Sequence, residues 1–321
     1  MKNGLLLCFT LAVSILFADP FPTVLGDCTL QMDTGDEQFR LELTDHIIQS
    51  AHDMAEDFGA ITPGPFSIIL VATHDEFIRQ TRGHSPEWSI AVAMPGMSRI
   101  VLQSPAIIHI SMNRFMDVIV HELNHMYVYR VQNSATIPVW FVEGLAMRSS
   151  GEFSILYKLR ISQAKWLGQL IPISRLYSMQ TQQTHSVNLA YGQSAAAIEA
   201  MEYYYGQPVF SLIFEQMNRS VNPDNAVRRM DFTTAFQSVT RDDLLDFQEK
   251  YVEFIRKNYN WLFLLEISSI ILVILPIILT GGYIIKRYRN RKKLMQWELE
   301  EALEDLGIPV DGIPHKDELP N

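Results

Sequence analysis

The strongest chemical signal in the chain is His121-Glu122-Leu123-Asn124-His125. Histidines at i and i+4 of a helix lie one turn apart on the same face, so their ring nitrogens can converge on one metal ion. Glu122 directly follows the first histidine, which lets its carboxylate reach a water on that ion. The surrounding sequence supports the helix this geometry needs. Residues 112–131 contain neither Gly nor Pro, and Ser111 or Asn113 is available as an N-cap. Phe115, Met116, Ile119, Leu123, Met126 and Tyr127 supply an apolar face. The competing reading is a pair of helix histidines in ordinary surface or core positions.

A second carboxylate bears on that choice. Pro138-Val139-Trp140-Phe141-Val142-Glu143-Gly144-Leu145-Ala146 follows a short loop, and Pro138 suits the first turn of a new helix. Glu143 then sits more than one turn in, among apolar residues, where an unpaired carboxylate is costly to bury. A metal ion is one partner it could have; the competing reading is a salt bridge or an exposed position. Gly144 and Ala146 are small enough for this helix to approach a neighbour closely. If the ion is the partner, His121, His125 and Glu143 make three ligands with a fourth position open to water. That is the pattern of a catalytic zinc site and differs from a closed structural one. The ion acidifies its water, and Glu122 is placed to accept the proton as general base. Iron, cobalt or manganese could occupy the same donor set.

These motifs resemble those of the gluzincin metallopeptidases, and more narrowly the bacterial peptidase MA-like domain family. That family reads H-E-L-x-H, then P-x-W-x-x-E-G-x-A, then Y-x-Q-S, then Y-G. The matching positions are His121–His125, Pro138–Ala146, Tyr191-Gly192-Gln193-Ser194 and Tyr205-Gly206. The resemblance covers residues 27–258. It implies an α+β zincin-like fold, with a small N-terminal mixed sheet plus helices, the metal helix, and a mainly helical C-terminal half. It also implies a peptide-bond hydrolase with one Zn2+ per chain on His121, His125 and Glu143, Glu122 as base, and a polypeptide as substrate. Tyr191 is the best positional match for an oxyanion donor, and His185 is a weaker one. The edge strand that pairs with substrate backbone in such folds would be Arg99–Gln103, with Arg99, Ile100, Val101 and Leu102 at the cleft. Thermolysin-like enzymes carry an aspartate four residues after the glutamate ligand. Met147 stands there in this chain, so support for a ligand histidine must come from elsewhere.

The elements that must position these residues can be read coarsely. Residues 36–58 form an amphipathic helix, with Phe39, Leu43, Ile47, Ala51, Met54 and Phe58 near one stripe. Strands are expected at 28–32, 66–72, 90–94 and 99–103, the last two joined as a hairpin by Pro95-Gly96-Met97-Ser98. A short helix is expected at 74–80. Downstream, helices are expected at 153–167, 188–205, 209–217 and 244–259, with a loop at 180–186 and a short helix and turn within 231–240.

The ends of the chain carry a different signal. Lys2 followed by the apolar run Leu5–Phe17 reads as a secretory signal, with cleavage after Ala18 or near Gly26. Cys28 would then remain as an unpaired cysteine. Residues 262–285 read as a transmembrane helix, with Trp261 and Tyr283 at the two interfaces. The basic run Lys286–Lys293 follows, which by the positive-inside rule faces the cytoplasm. Both ends give one topology: a domain at 27–258 in the periplasm or cell exterior, one span, and a cytoplasmic basic/acidic tail at 286–321 of unknown partner, in which an acidic amphipathic helix runs from Leu294 to about Leu306. The formal net charge of −10 argues against nucleic acid as a partner. The expected function is thus a membrane-anchored zinc peptidase. A zincin-fold module that binds or assembles without cleaving is the alternative. An intramembrane protease is disfavoured, because His121, Glu122, Asn124, His125 and Asp117 make the motif helix too polar to span a bilayer.

Overall fold

The structure is a computed structural model that describes residues 19–32, 35–59, 61–83, 89–132, 137–176, 184–218 and 230–306. The secretory-signal assignment falls on residues outside these, as does the far end of the tail. The chain divides into two units, Met1–Trp261 and Leu262–Asn321.

The first unit begins with β1 (Cys28–Gln31), a 3-10 turn at Glu37–Phe39 and α1 (Arg40–Phe58). Then come β2 (Phe66–Val71), α2 (His74–Gln80), β3 (Ala91–Met94), β4 (Arg99–Gln103) and the short α3 (Pro105–Ile108). The helical part follows: α4 (Met112–Gln132), α5 (Val139–Ser149), α6 (Ile155–Trp166), α7 (Thr184–Tyr205), α8 (Val209–Asn218), α9 (Phe232–Thr240) and α10 (Leu244–Asn258). The α+β class expected from sequence is what is seen. Some boundaries differ: α1 starts at Arg40, after the 3-10 turn, and α7 already includes Thr184–Ser186, which the polar composition had suggested was loop.

The four strands form one mixed sheet in the order β1-β2-β4-β3. β1 and β2 are parallel, as are β2 and β4, and β3 returns antiparallel to β4. The β3–β4 connection is a tight turn through Pro95–Met97, with Ser98 in the left-handed region. Pleating sends alternate residues to opposite faces. Ile69, Val71 and Val101 pack with Phe77 of α2 on one face. Phe66, Ile68, Leu70, Ile100 and Leu102 are buried on the other. That second face is the one α4 covers, since Arg130 at its end stacks over Phe66 at 5.2 Å.

This order corrects one expectation. Arg99–Gln103 is not the sheet edge: it lies between β2 and β3, and Ile100, Val101 and Leu102 are fully buried. The edge on that side is Ala91–Met94, and β1 is the other. A hairpin has two strands, and the one that pairs with β2 becomes internal. β4, with three consecutive large β-branched or leucine side chains, fills a site buried on both faces better than the alanine-rich β3 does.

The helical half is held by close approach and aromatic packing. A Cβ on Gly144 would lie 2.5 Å from the Ser194 carbonyl oxygen and 2.6 Å from Ile198, so glycine lets the backbones of α5 and α7 approach each other closely. Ala195, Ala196 and Ala197 on α7 are buried at the same contact. Trp140 and Phe141 of α5 pack with Phe232 of α9, and Trp140 also stacks on Phe247 of α10. Arg148 crosses between helices, pairing with Asp57 at 2.6 Å and Glu202 at 2.7 Å. Cys28 is buried, and burial pushes its thiol up to about 12, so it behaves as a small apolar core residue.

The second unit is a helix, α11 (Leu262–Asp305), with Pro276 inside it. The acidic segment expected as a separate helix is a continuation of α11. Within the described residues it is the helix long and apolar enough to cross a membrane.

Candidate metal centre

α4 carries the H-E-x-x-H motif, and its N-terminus is set by Ser111. The Ser111 hydroxyl accepts from the Arg114 N–H at 3.3 Å, and its carbonyl accepts from the Phe115 N–H. Burial of Phe115, Ile119, Leu123 and Met126 fixes the rotation of the helix, turning His121 and His125 toward α5. Their rings meet edge to face with centroids 4.9 Å apart. Asn124, fully buried between them, donates to the Ser149 hydroxyl at 2.9 Å and ties α4 to the end of α5.

α5 supplies the third group. Glu143 Oε2 lies 3.6 Å from His121 Nε2 and 3.7 Å from His125 Nε2. The candidate ligand atoms all fall within 4.8 Å of one another. Tetrahedral ligands about 2.05 Å from a zinc ion are separated by about 3.4 Å, so small side-chain adjustments suffice to close the site on an ion. The same Oε2 is buried with no hydrogen-bond partner. A buried carboxylate oxygen left unpaired is costly, and a cation between it and the two imidazoles removes the cost. The residues present therefore fit a divalent metal.

The electrostatics point the same way. Burial alone would push the His121 pKa down. Glu143 and Glu152, on either side of the ring, more than reverse this and raise it to about 10. Glu143 is likewise opposed by burial but held below the usual carboxylate range by His125 and His121. This is a field that favours positive charge at the point where the three side chains meet.

His121 has a second carboxylate that sequence reasoning missed. Glu152 Oε2 sits 2.7 Å from His121 Nδ1, and its Oε1 sits 2.7 Å from Arg114 Nη1. A histidine that gives Nδ1–H to a carboxylate presents Nε2 to the metal. Met147, where thermolysin-like enzymes place their aspartate, is 2% exposed and lines the cavity beside His121. The tight turn at Gly151 after α5 brings the next residue back to the ring. No local pattern marks Glu152, although an acidic residue just past the end of a ligand helix was a position to consider.

Glu122 projects to the other side. It is 9% exposed, and its Oε2 accepts from the Ala93 N–H at 2.5 Å. Ala93 belongs to the edge strand β3, so the motif carboxylate bridges the metal helix and the edge of the sheet. Tyr191, on α7, lines the cavity of about 310 Å3 that opens beside His121, together with Arg114, Glu152, Tyr157 and Ala91. Burial, followed by the charges of Glu143, Glu122 and Glu152, raises its pKa, so its hydroxyl keeps its proton. Arg99, by contrast, points away to Gln80 on α2, with which it bonds at 3.2 Å. The side chain of His185 lies outside the described residues.

Comparison with known proteins agrees with this geometry. No curated protein shows significant similarity to the chain. Residues 46–236, more than half of it, match the Peptidase MA superfamily. That segment contains both the H-E-x-x-H helix and the glutamate that converges with it, and the chain belongs to the Peptidase MA superfamily, as a metallopeptidase of the H-E-x-x-H…E type.

Proposed function

We propose that the protein is a membrane-anchored zinc peptidase acting on polypeptides outside the cytoplasm. The observation that carries the catalytic reading is the buried Glu143 oxygen that has no hydrogen bond and faces two histidine Nε2 atoms. Two nitrogens and one oxygen are a donor set suited to zinc. When bound, the ion polarises a peptide carbonyl and acidifies a water molecule.

The chain's own residues do the rest. Glu122 takes the proton of the attacking water and returns it to the leaving amine. Glu152 holds His121 in the tautomer that leaves Nε2 free. Tyr191, protonated and beside His121, donates to the oxygen on which charge develops. β3 aligns the substrate. Gln103 donates its N–H to the Ile90 carbonyl, so Ile90 faces β4 and alternation turns the polar groups of Ala91 and Ala93 outward. Glu122 holds the Ala93 N–H and Ser89 the Ala91 carbonyl, so an extended peptide can add there through the Ala91 N–H and the Ala93 carbonyl and pass directly by Glu122. The edge strand therefore moves from Arg99–Leu102 to Ala91–Met94. Anchoring rests on α11, whose apolar first half is followed by Lys286–Lys293.

The test is metal content with hydrolysis. Purified protein in zinc-replete buffer should carry about one zinc per chain, and His121→Ala should carry almost none. A peptide library should be cleaved by the wild type and left intact by both His121→Ala and Glu122→Gln. Equal cleavage by the wild type and Glu122→Gln would remove the catalytic reading, and a metal-free wild type would remove the site itself.

A further inference from the structure

We infer that Trp166, Leu167 and Trp261 form a membrane-contact patch by which the peptidase unit rests on the phospholipid surface entered by the helix that follows it. This rests on the reading of α11 as a span and goes beyond it, because it assigns a lipid-binding role to part of the folded unit.

The two tryptophans lie far apart in sequence but flank one turn. Trp166 Nε1 donates to the Asn260 carbonyl at 3.5 Å, and Trp261 Nε1 donates to the Asn258 carbonyl at 3.0 Å. Their N–H groups are thus directed at the backbone while about half of each side chain remains exposed, Trp166 to 52% and Trp261 to 55%. Leu167, beside Trp166, is 58% exposed. The same chain buries Trp140 to 2% in its aromatic core, so the fold has room for indoles inside.

The exposure is built in by a helix cap. α6 ends in a Schellman turn, in which Gly168 (φ +68°) donates to Lys165 O at 3.2 Å and Gln169 donates to Ala164 O at 2.7 Å. That turn reverses the chain and leaves Trp166 and Leu167 at its tip. Lys165 stands 5.9 Å from the Trp166 ring, where its ammonium can meet lipid phosphate while its stem covers apolar surface. Tryptophan, leucine and lysine together are the composition of an interfacial anchor.

What makes lipid the occupant is the position of the turn. Trp261 is directly followed by Leu262, where the long apolar helix begins. Groups that bond to Asn258 and Asn260 therefore lie within a few residues of the bilayer surface whenever α11 spans it. An isolated patch of two tryptophans and a leucine elsewhere on the unit would have no assigned partner.

The experiment reconstitutes the full chain in phosphatidylcholine nanodiscs carrying a lipid spin-labelled near the headgroup, and reads tryptophan emission for wild type, Trp166→Phe and Trp261→Phe. Each difference spectrum isolates one ring. The expected result is that the emission lost in Trp166→Phe is quenched by the spin-labelled lipid, as is that lost in Trp261→Phe, and that aqueous iodide quenches neither well. If the Trp166 component is quenched by iodide and not by lipid while the Trp261 component is quenched by lipid, the contact patch is overturned and the span stands. If neither is lipid-quenched and the chain is released from membranes by alkaline carbonate, both readings fail.

Discussion

Glu122, Glu143 and Glu152 surround His121, and substituting each removes a different thing. Glu122→Gln keeps the size of the side chain and its contact with β3 but cannot accept a proton. Turnover should fall about 10²- to 10⁴-fold with metal content unchanged, as measured by peptide hydrolysis beside metal analysis. Glu152→Gln leaves all three ligands in place but weakens the hold on His121 Nδ1. Zinc affinity should drop about 10- to 100-fold, read by competition with a chromophoric chelator. An unchanged affinity would reduce Glu152 to a partner of Arg114 alone. The buried Glu143 oxygen makes a third prediction. Zinc at about 100 times its dissociation constant should raise stability by about 2.7 kcal/mol. Thermal melts with and without chelator should show this shift, and His121→Ala should lose it.

At the scale of elements, the site depends on how close α5 comes to α7. Gly144 directly follows the candidate ligand Glu143, and any side chain there must push α5 off the Ser194 carbonyl. Gly144→Ala should cost about 1–3 kcal/mol in denaturant unfolding and weaken zinc binding through displacement of Glu143. Gly192→Ala is a useful control. Its Cβ would meet the Tyr157 ring at 2.9 Å, and a side chain can turn aside where backbone cannot, so a smaller loss is expected. The H-E-x-x-H helix and its histidine pair were legible because an i,i+4 spacing and an apolar stripe are local properties of one helix. Strand positions were legible for the same reason. Strand order was not. Either arm of the Ala91–Gln103 hairpin could have paired with β2, and only the assembled sheet shows that the buried run Ile100-Val101-Leu102 is internal.

For the whole molecule, the length of α11 carries the argument. Its 44 residues span about 66 Å at 1.5 Å per residue, while the hydrocarbon core of a bilayer is about 30 Å thick. Under the proposed anchoring the helix continues well beyond the membrane, and Lys286–Lys293 lie in that continuation. Trypsin added to sealed vesicles should cut there only when the cytoplasmic face is exposed. It should leave the unit ending at Trp261 attached to the span. Cleavage from the opposite face would reverse the proposed topology.

By itself, the sequence determined the candidate chemistry: two histidines and a carboxylate on one helix, a glutamate on the next, and a segment apolar enough for a bilayer. Each of these depends on the spacing of residues within a single element. The tertiary structure alone decided which carboxylate supports His121, which strand forms the edge that Glu122 touches, and which two tryptophans share a turn. Each of these joins residues far apart in the chain, where contact is set by the packing of whole elements and leaves no periodic trace in the sequence.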